Sequence, residues 1–190
     1  MSGANLSGAD FSGATLINAQ SSGIAARPKN FTNANLEQAN LDGIELDSIV
    51  ISGANLKGAN LRSAKGIGTH VLLDAASLEG VDLSGAELHD ANMNRIDLRR
   101  AQLRGTDLKR SDLRDANLRQ TDLRHADLNA SDLEDAWLVD ADLREADFSG
   151  VNITGARFRA NPAELGVRWE KDTPPRGLNR VRILPKNTSE

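Results

Sequence analysis

A large apolar residue recurs at every fifth position of this chain, and that period excludes the ordinary secondary structures. It appears first as Ala4-Asn5-Leu6, Ala9-Asp10-Phe11 and Ala14-Thr15-Leu16, and the frame returns at Phe31, Leu36, Leu41, Leu46, Ile51, Leu56 and Leu61. A second block runs without interruption from Leu73 through Leu98, Leu118 and Leu138 to Phe158. Two positions before each large residue stands a small or β-branched one, such as Ala86, Ala91, Ile96, Ala101, Thr106 and Ser111, and the residue between is nearly always Asp or Asn. A period of five fits neither a helix at 3.6 nor a strand at 2. It fits a chain that turns a corner every five residues, with one large and one small side chain pointing inward on each side. Four such sides close a coil of about 20 residues, and stacked coils pair their backbones at about 4.8 Å. The large residues then form a continuous core that no single repeat could bury.

These A-(D/N)-L-x-x units, over residues 2–66 and 71–160, resemble the pentapeptide-repeat proteins. The resemblance implies an all-β fold, a right-handed quadrilateral β-helix. With about seven coils the rod would measure about 35 Å. The expected organisation is a β-helix over 1–160 and a C-terminal cap and tail over 161–190.

Two interruptions stand out. Residues 17–30 keep the frame but place Ser21 and Ala26 where the core needs bulk, and contain Gly23 and Pro28. The segment reads either as weak repeats or as a loop leaving the coil, which would make Arg27 part of a projection. Between Leu61 and Leu73 the frame shifts by two, which predicts a bulge or short loop within 62–72. After Phe158, Asn161-Pro162-Ala163-Glu164 carries the signature of a helix start, an N-cap followed by Pro and Glu. A short helix there would let Leu165 and Trp169 cover the last coil. Arg180-Val181-Arg182-Ile183-Leu184 alternates like an edge strand. The first coil, with no cap of its own, is a candidate end for homodimer formation.

Catalytic chemistry finds little support. His70, His89 and His125 are scattered, and no cluster has metal-ligand spacing. The Gly3–Gly8 and Gly53–Gly58 spacings lack the Lys-Ser/Thr of a phosphate loop and recur with the repeat. No enzyme activity and no cofactor or metal are expected. The chain has no Cys, which fits a reducing compartment such as the cytoplasm, and its start, MSGANLSGAD, lacks the features of a signal peptide. No apolar run approaches a membrane span, and a net charge of −4 argues against direct nucleic-acid binding.

The Asp/Asn column alternates freely between the two residue types, so the fold needs a side-chain oxygen at a turn there rather than a charge. Charge layout is uneven elsewhere. Residues 95–124 hold nine basic and five acidic side chains, including Arg104, Arg119 and Arg124, whereas 126–150 hold eight acidic and one basic. On a four-sided coil, Glu87, Asp107, Asp127 and Asp147 form one column, and Arg104, Arg124 and Arg144 another beside Asp122 and Asp142. Trp137 takes an outward Asp/Asn position, which reads either as an exposed aromatic for a partner or as a contact for the tail.

Two functions compete. The first is a non-enzymatic scaffold that binds another protein through Trp137, Trp169, the Arg27 segment, or the Arg104 and Arg124 column. The second follows from the resemblance, whose quinolone-resistance class binds DNA gyrase by imitating duplex DNA. That reading needs an acidic surface built from Asp127, Asp132, Asp135 and Asp147. Duplex DNA carries about three charges per 4.8 Å coil, whereas residues 71–160 hold 12 basic and 18 acidic side chains, far below that density. The scaffold is the leading expectation.

Overall fold

A computed structural model of the protein describes residues 29–44, 49–51, 53–65, 77–160, 165–168, 174–177 and 180–183. The chain winds as a coil in which each rung pairs in parallel with the rung one turn later. The parallel bridges join Asp107 to Asp127, Asp112 to Asp132, Asn117 to Trp137 and Asp122 to Asp142, so in the regular coils the partners stand four repeats apart. Four five-residue sides therefore make one turn. In the regular coils the faces are residues 96–100, 116–120, 136–140 and 156–160 (first face), then 101–105, 121–125 and 141–145 (second), 106–110, 126–130 and 146–150 (third), and 111–115, 131–135 and 151–155 (fourth).

A regular side satisfies its five backbone N–H groups by one rule, and the side 106–110 illustrates it. Thr106 N–H closes the corner on Leu103 O (3.2 Å), and Asp107 N–H donates to Ala86 O of the preceding coil (2.9 Å). Leu108 N–H donates to Asp127 O of the next coil (2.8 Å), and Arg110 N–H to Asn129 O (2.9 Å). On most sides the fifth N–H, just after the large residue, is taken by the Asp or Asn side chain two residues back; Gln102 and Trp137 supply no such acceptor, and Asn117 Oδ1 accepts no bond among the described residues. Lys109 N–H donates to Asp107 Oδ1 (3.1 Å), Asn129 N–H to Asp127 Oδ1 (3.1 Å) and Ser149 N–H to Asp147 Oδ1 (2.9 Å). Asn serves equally, as Lys57 N–H on Asn55 and Thr154 N–H on Asn152 demonstrate. The column is thus a row of Asx turns, which explains why Asp and Asn interchange.

The corner residue two places after each large one takes the left-handed region. It is Gly at some corners, but Asp90, Arg95, His125 and Ala130 also sit at φ near +60°. Such turns suit glycine, and the non-glycine residues hold the conformation because the ladders on both sides dictate it.

The interior is a stack of large residues. Leu98, Leu103, Leu108 and Leu113 of one coil are fully buried, as are Leu118, Leu123, Leu128 and Leu133 of the next, with Phe148, Ile153 and Phe158 above them. Small residues complete it, and some hydroxyls among them are satisfied on the main chain: Thr106 Oγ1 donates to Leu83 O (2.9 Å) and Ser111 Oγ to Leu108 O (2.7 Å), whereas the buried Ser131 Oγ has no partner among the described residues.

One coil is longer. Asn55 pairs with Ser77, Asn60 with Asp82 and Lys65 with Glu87, each pair two positions wider than the regular turn, so the insertion lies between Lys65 and Ser77. The 17–30 segment lies outside the described residues up to 28, and its last two residues form β1 (Lys29–Asn30), parallel to β2 (Ile49–Val50).

The C-terminal segment extends the coil instead of merely capping it. Asp147 pairs with Arg168, Asn152 with Arg176, and β3 (Arg157–Phe158) with β4 (Arg182–Ile183). These spans exceed the regular turn by one, four and five positions in that order. Leu165, Val167 and Val181 pack against the core. On the first face the ladder Asn35, Asn55, Ser77, Asp97, Asn117, Trp137, Arg157, Arg182 has eight rungs and seven steps, about 34 Å at about 4.8 Å per step. The last of these rungs is supplied by the tail. The helix start expected at 161–164 lies outside the described residues, and Leu165 and Gly166, which follow it, form a turn.

Candidate functional site

The surface of the rod is a set of side-chain columns, and what distinguishes one stretch from another is how charge is closed within them. The commonest arrangement is an arginine two residues after an aspartate in one repeat. Asp122 accepts Arg124 Nε (2.8 Å) and Nη2 (2.5 Å), and its Oδ1 also accepts the Arg124 N–H (3.1 Å). Asp97 with Arg99, Asp112 with Arg114 and Asp142 with Arg144 repeat the pattern. One carboxylate thus makes the turn and grips the guanidinium. The forked hydrogen bond from the guanidinium holds the Asp112, Asp122 and Asp142 carboxyls below the usual carboxylate range. At Asp97 partial burial pushes the other way, and the Arg99 bonds prevail.

Other pairs cross between coils. Arg110 reaches down to Asp90 with two bonds (2.7 and 2.6 Å), Lys109 lies 3.0 Å from Asp127 and 3.6 Å from Asp107, and His125 Nδ1 is 3.2 Å from Glu145. The basic band of residues 95–124 is therefore largely closed by its own carboxylates. The sequence had set Arg124 and Arg144 beside Asp122 and Asp142, and the structure adds the local rule: Asp-Leu-Arg within a repeat marks a closed arginine.

The four acidic candidates do not form one patch. Asp127 and Asp147 share the column of Glu87 and Asp107 on the third face, as their spacing predicts, while Asp132 and Asp135 stand on the fourth. Asp127 is paired with Lys109. Asp132 accepts Asn152 Nδ2 (2.8 Å) and serves the Glu134 turn, and Asp135 lies 3.8 Å from Arg182 Nη2. Asp147 serves the Ser149 turn.

Trp137 corrects its expectation. It does face outward on the first face, but it is half-buried, not an exposed aromatic. The Arg157 guanidinium lies 4.3 Å from the ring centroid and Arg119 lies 5.1 Å away, one from the coil above and one from the coil below. The two guanidiniums come from β3 and from the preceding coil. The cause is the four-repeat turn, which sets positions 119 and 157 on either side of 137 on one face. Arg157 Nη1 also donates to Asp135 O (2.6 Å).

Arg104 differs from its column. It stands on the second face with Arg124 and Arg144, but position 102 is Gln, so no carboxylate of its own repeat is available. Its side chain makes no hydrogen bond or ion pair with any described residue. Arg27 and Trp169 lie outside the described residues. Among the described residues no group of three or more His, Asp or Glu could hold a metal ion, and no helix is long and apolar enough to cross a membrane.

Comparison with known proteins accords with the coil. The family model of pentapeptide repeats matches in eight copies, over residues 1–20, 30–65, 69–100, 96–135 and 126–160. The chain belongs to the pentapeptide-repeat family. Its fold is the family's right-handed quadrilateral β-helix, all-β. Full-length QnrB1, a plasmid-mediated fluoroquinolone resistance protein, is similar in structure with a TM-score of 0.55 and 12% identity, covering 89% of this chain and 95% of that one. HetL, a pentapeptide-repeat protein involved in heterocyst differentiation regulation from the cyanobacterium Nostoc sp. strain PCC 7120, is 25% identical over 98% of this chain and 87% of its own, with a TM-score of 0.41. No curated protein matches this chain significantly. The likeness to QnrB1 is one of fold.

Proposed function

We propose that this pentapeptide-repeat protein is a non-catalytic scaffold that binds another protein on a face of its rod. The observation that carries the reading is the closed backbone: in the regular coils main-chain carbonyls take most N–H groups of a side, and on most sides an Asx side chain takes the one after the large residue, as at Asp107, Asp127 and Asp147. A shaft so constrained keeps its side-chain columns in fixed register, and its interior is filled by its own leucines. Rigid presentation of surface groups cuts the ordering cost of association.

A gyrase-directed DNA mimic needs carboxylates free along one face, and here Asp90, Asp97, Asp112, Asp122, Asp127 and Asp142 each hold an arginine or lysine. That charge closure favours the scaffold.

The test is affinity capture with the full chain, followed by a gyrase supercoiling assay at low and moderate salt. The scaffold reading expects a captured protein retained at micromolar affinity and no inhibition of gyrase. Salt-sensitive inhibition, abolished by Asp→Asn changes at 127, 132, 135 and 147, would replace it with mimicry.

A further inference from the structure

The unpaired arginine of the second face sits at a gap in that face. Successive rungs carry Asn60, Asp82, Gln102, Asp122 and Asp142, and two residues beyond each stand Arg62, Ser84, Arg104, Arg124 and Arg144. Ser84 interrupts the arginine column, and Gly85 and Gly105 offer no side chain at the adjoining corner. A surface notch here is lined by Arg62, Arg104 and Arg124 with Ser84, Gly85 and Gly105, and Gln102 and His125 also border it. Arg62 lies 3.7 Å from Asp82, and Arg124 is gripped by Asp122. Of the three rim arginines, Arg104 alone has no carboxylate among the described residues.

We infer that this notch receives an aspartate or glutamate side chain of the partner protein, which takes the place that a residue-102 carboxylate would fill. The inference rests on the scaffold reading. The neighbouring rungs supply the geometry. Leu103 N–H donates to Asp122 O (2.8 Å) and Gly105 N–H to Arg124 O (3.0 Å), so the Arg104 backbone is held in the register that positions Arg124 and Arg144 for their own carboxylates. What the column lacks at this rung is a planar two-oxygen acceptor, the group a guanidinium fork binds in two parallel bonds. Repetition favours a carboxylate over a phosphate, because every closed arginine of this column is closed by one. Ser84, Gly85 and Gly105 leave room for the incoming side chain. Arg62 and Arg124 are already engaged by carboxylates of this chain, so they do not compete with Arg104 for the incoming group.

The experiment uses the full chain labelled with ¹⁵N-arginine and an end-blocked hexaglutamate peptide, with hexaglutamine and inorganic phosphate as controls. The Arg104 Nε–Hε resonance should shift with hexaglutamate and not with hexaglutamine. Gln102→Asp restores the repeat pattern, so it should fold normally, occupy Arg104 from within and weaken peptide binding at least tenfold, as should Arg104→Gln. Equal binding by wild type and Gln102→Asp would overturn the inference, as would a response to phosphate but not to hexaglutamate. A captured partner that Gln102→Asp binds as tightly as wild type would sink the notch and leave the scaffold standing. Failure to capture any protein would sink the scaffold, with the peptide titration still judging the notch.

Discussion

Replacing Asp147 by Asn and by Ala separates the two roles that a column of acidic residues can have. Asp147 accepts the Ser149 N–H at 2.9 Å, and Ser149 is buried at 1% exposure. No ion pair to Asp147 forms among the described residues, so the turn bond can be removed without disturbing a salt bridge. Asn keeps the oxygen and discards the charge, and it already fills the same position at 55, 60 and 152 with the same bond. Asp147→Asn should therefore change stability by less than about 0.5 kcal/mol, the range of a surface change that breaks no packing or hydrogen bond. Asp147→Ala leaves a buried amide without its acceptor, which costs about 1–3 kcal/mol. Urea unfolding at pH 7 would measure both, and amide exchange at Ser149 would locate the loss, with the alanine variant exchanging about tenfold faster or more. If Asn proves as damaging as Ala, charge is what the column needs and the turn argument is refuted. If Ala is harmless, the N–H accounting itself is wrong.

Other expectations follow from the same geometry. Leu118→Ala empties a fully buried rung between Leu98 and Leu138 and should cost about 3–5 kcal/mol in the same unfolding assay. Ala130→Gly relieves a left-handed corner at φ +58° and should raise the melting temperature, the gain being up to about 1 kcal/mol. Trp137→Ala removes two guanidinium–ring contacts at a half-buried site and should cost about 1–2 kcal/mol without unfolding the rod, read as a shifted urea midpoint with an unchanged slope. Because the folded Asp112, Asp122 and Asp142 carboxyls are held below their ordinary value, their contribution is fully present above about pH 4 and is lost as pH falls through the lowered values. Acid titration of the melting temperature should show that decline, and added salt should blunt it because the pairs are exposed.

The coil was legible because one short rule is repeated: Leu98, Leu103 and Leu108 declare the period, and the Asp/Asn alternation declares an oxygen where a charge is optional. The closed backbone makes each copy of that rule structurally equivalent, so local reading suffices. Surface chemistry was less legible because many of its partners lie a full turn away along the chain. Trp137 looks exposed in its own repeat, whereas the folded coil brings Arg119 and Arg157 over its ring. The acidic stretch 126–150 looks continuous along the chain and is split between faces in space. The tail was hardest, since Arg168, Arg176 and Arg182 reach their rungs by spans that follow no period, set by connections that vary in length from rung to rung.

The four-repeat offset of the regular coils gives the interior and the exterior different arithmetic. Core identity depends on position within one repeat, whereas the neighbours of a surface group depend on position within a whole turn. Excising residues 98–117 would join Asp97 to Leu118 in frame, shorten the shaft by one step of about 4.8 Å and set Asp97 beneath Trp137, deleting Arg104 with its notch. Excising a single repeat would leave every leucine facing inward, yet hand all later side chains to the neighbouring face. A lineage that gains or loses single repeats can thus rewrite its whole exterior while its core stays unchanged, and only multiples of four repeats change its length without changing what each face displays.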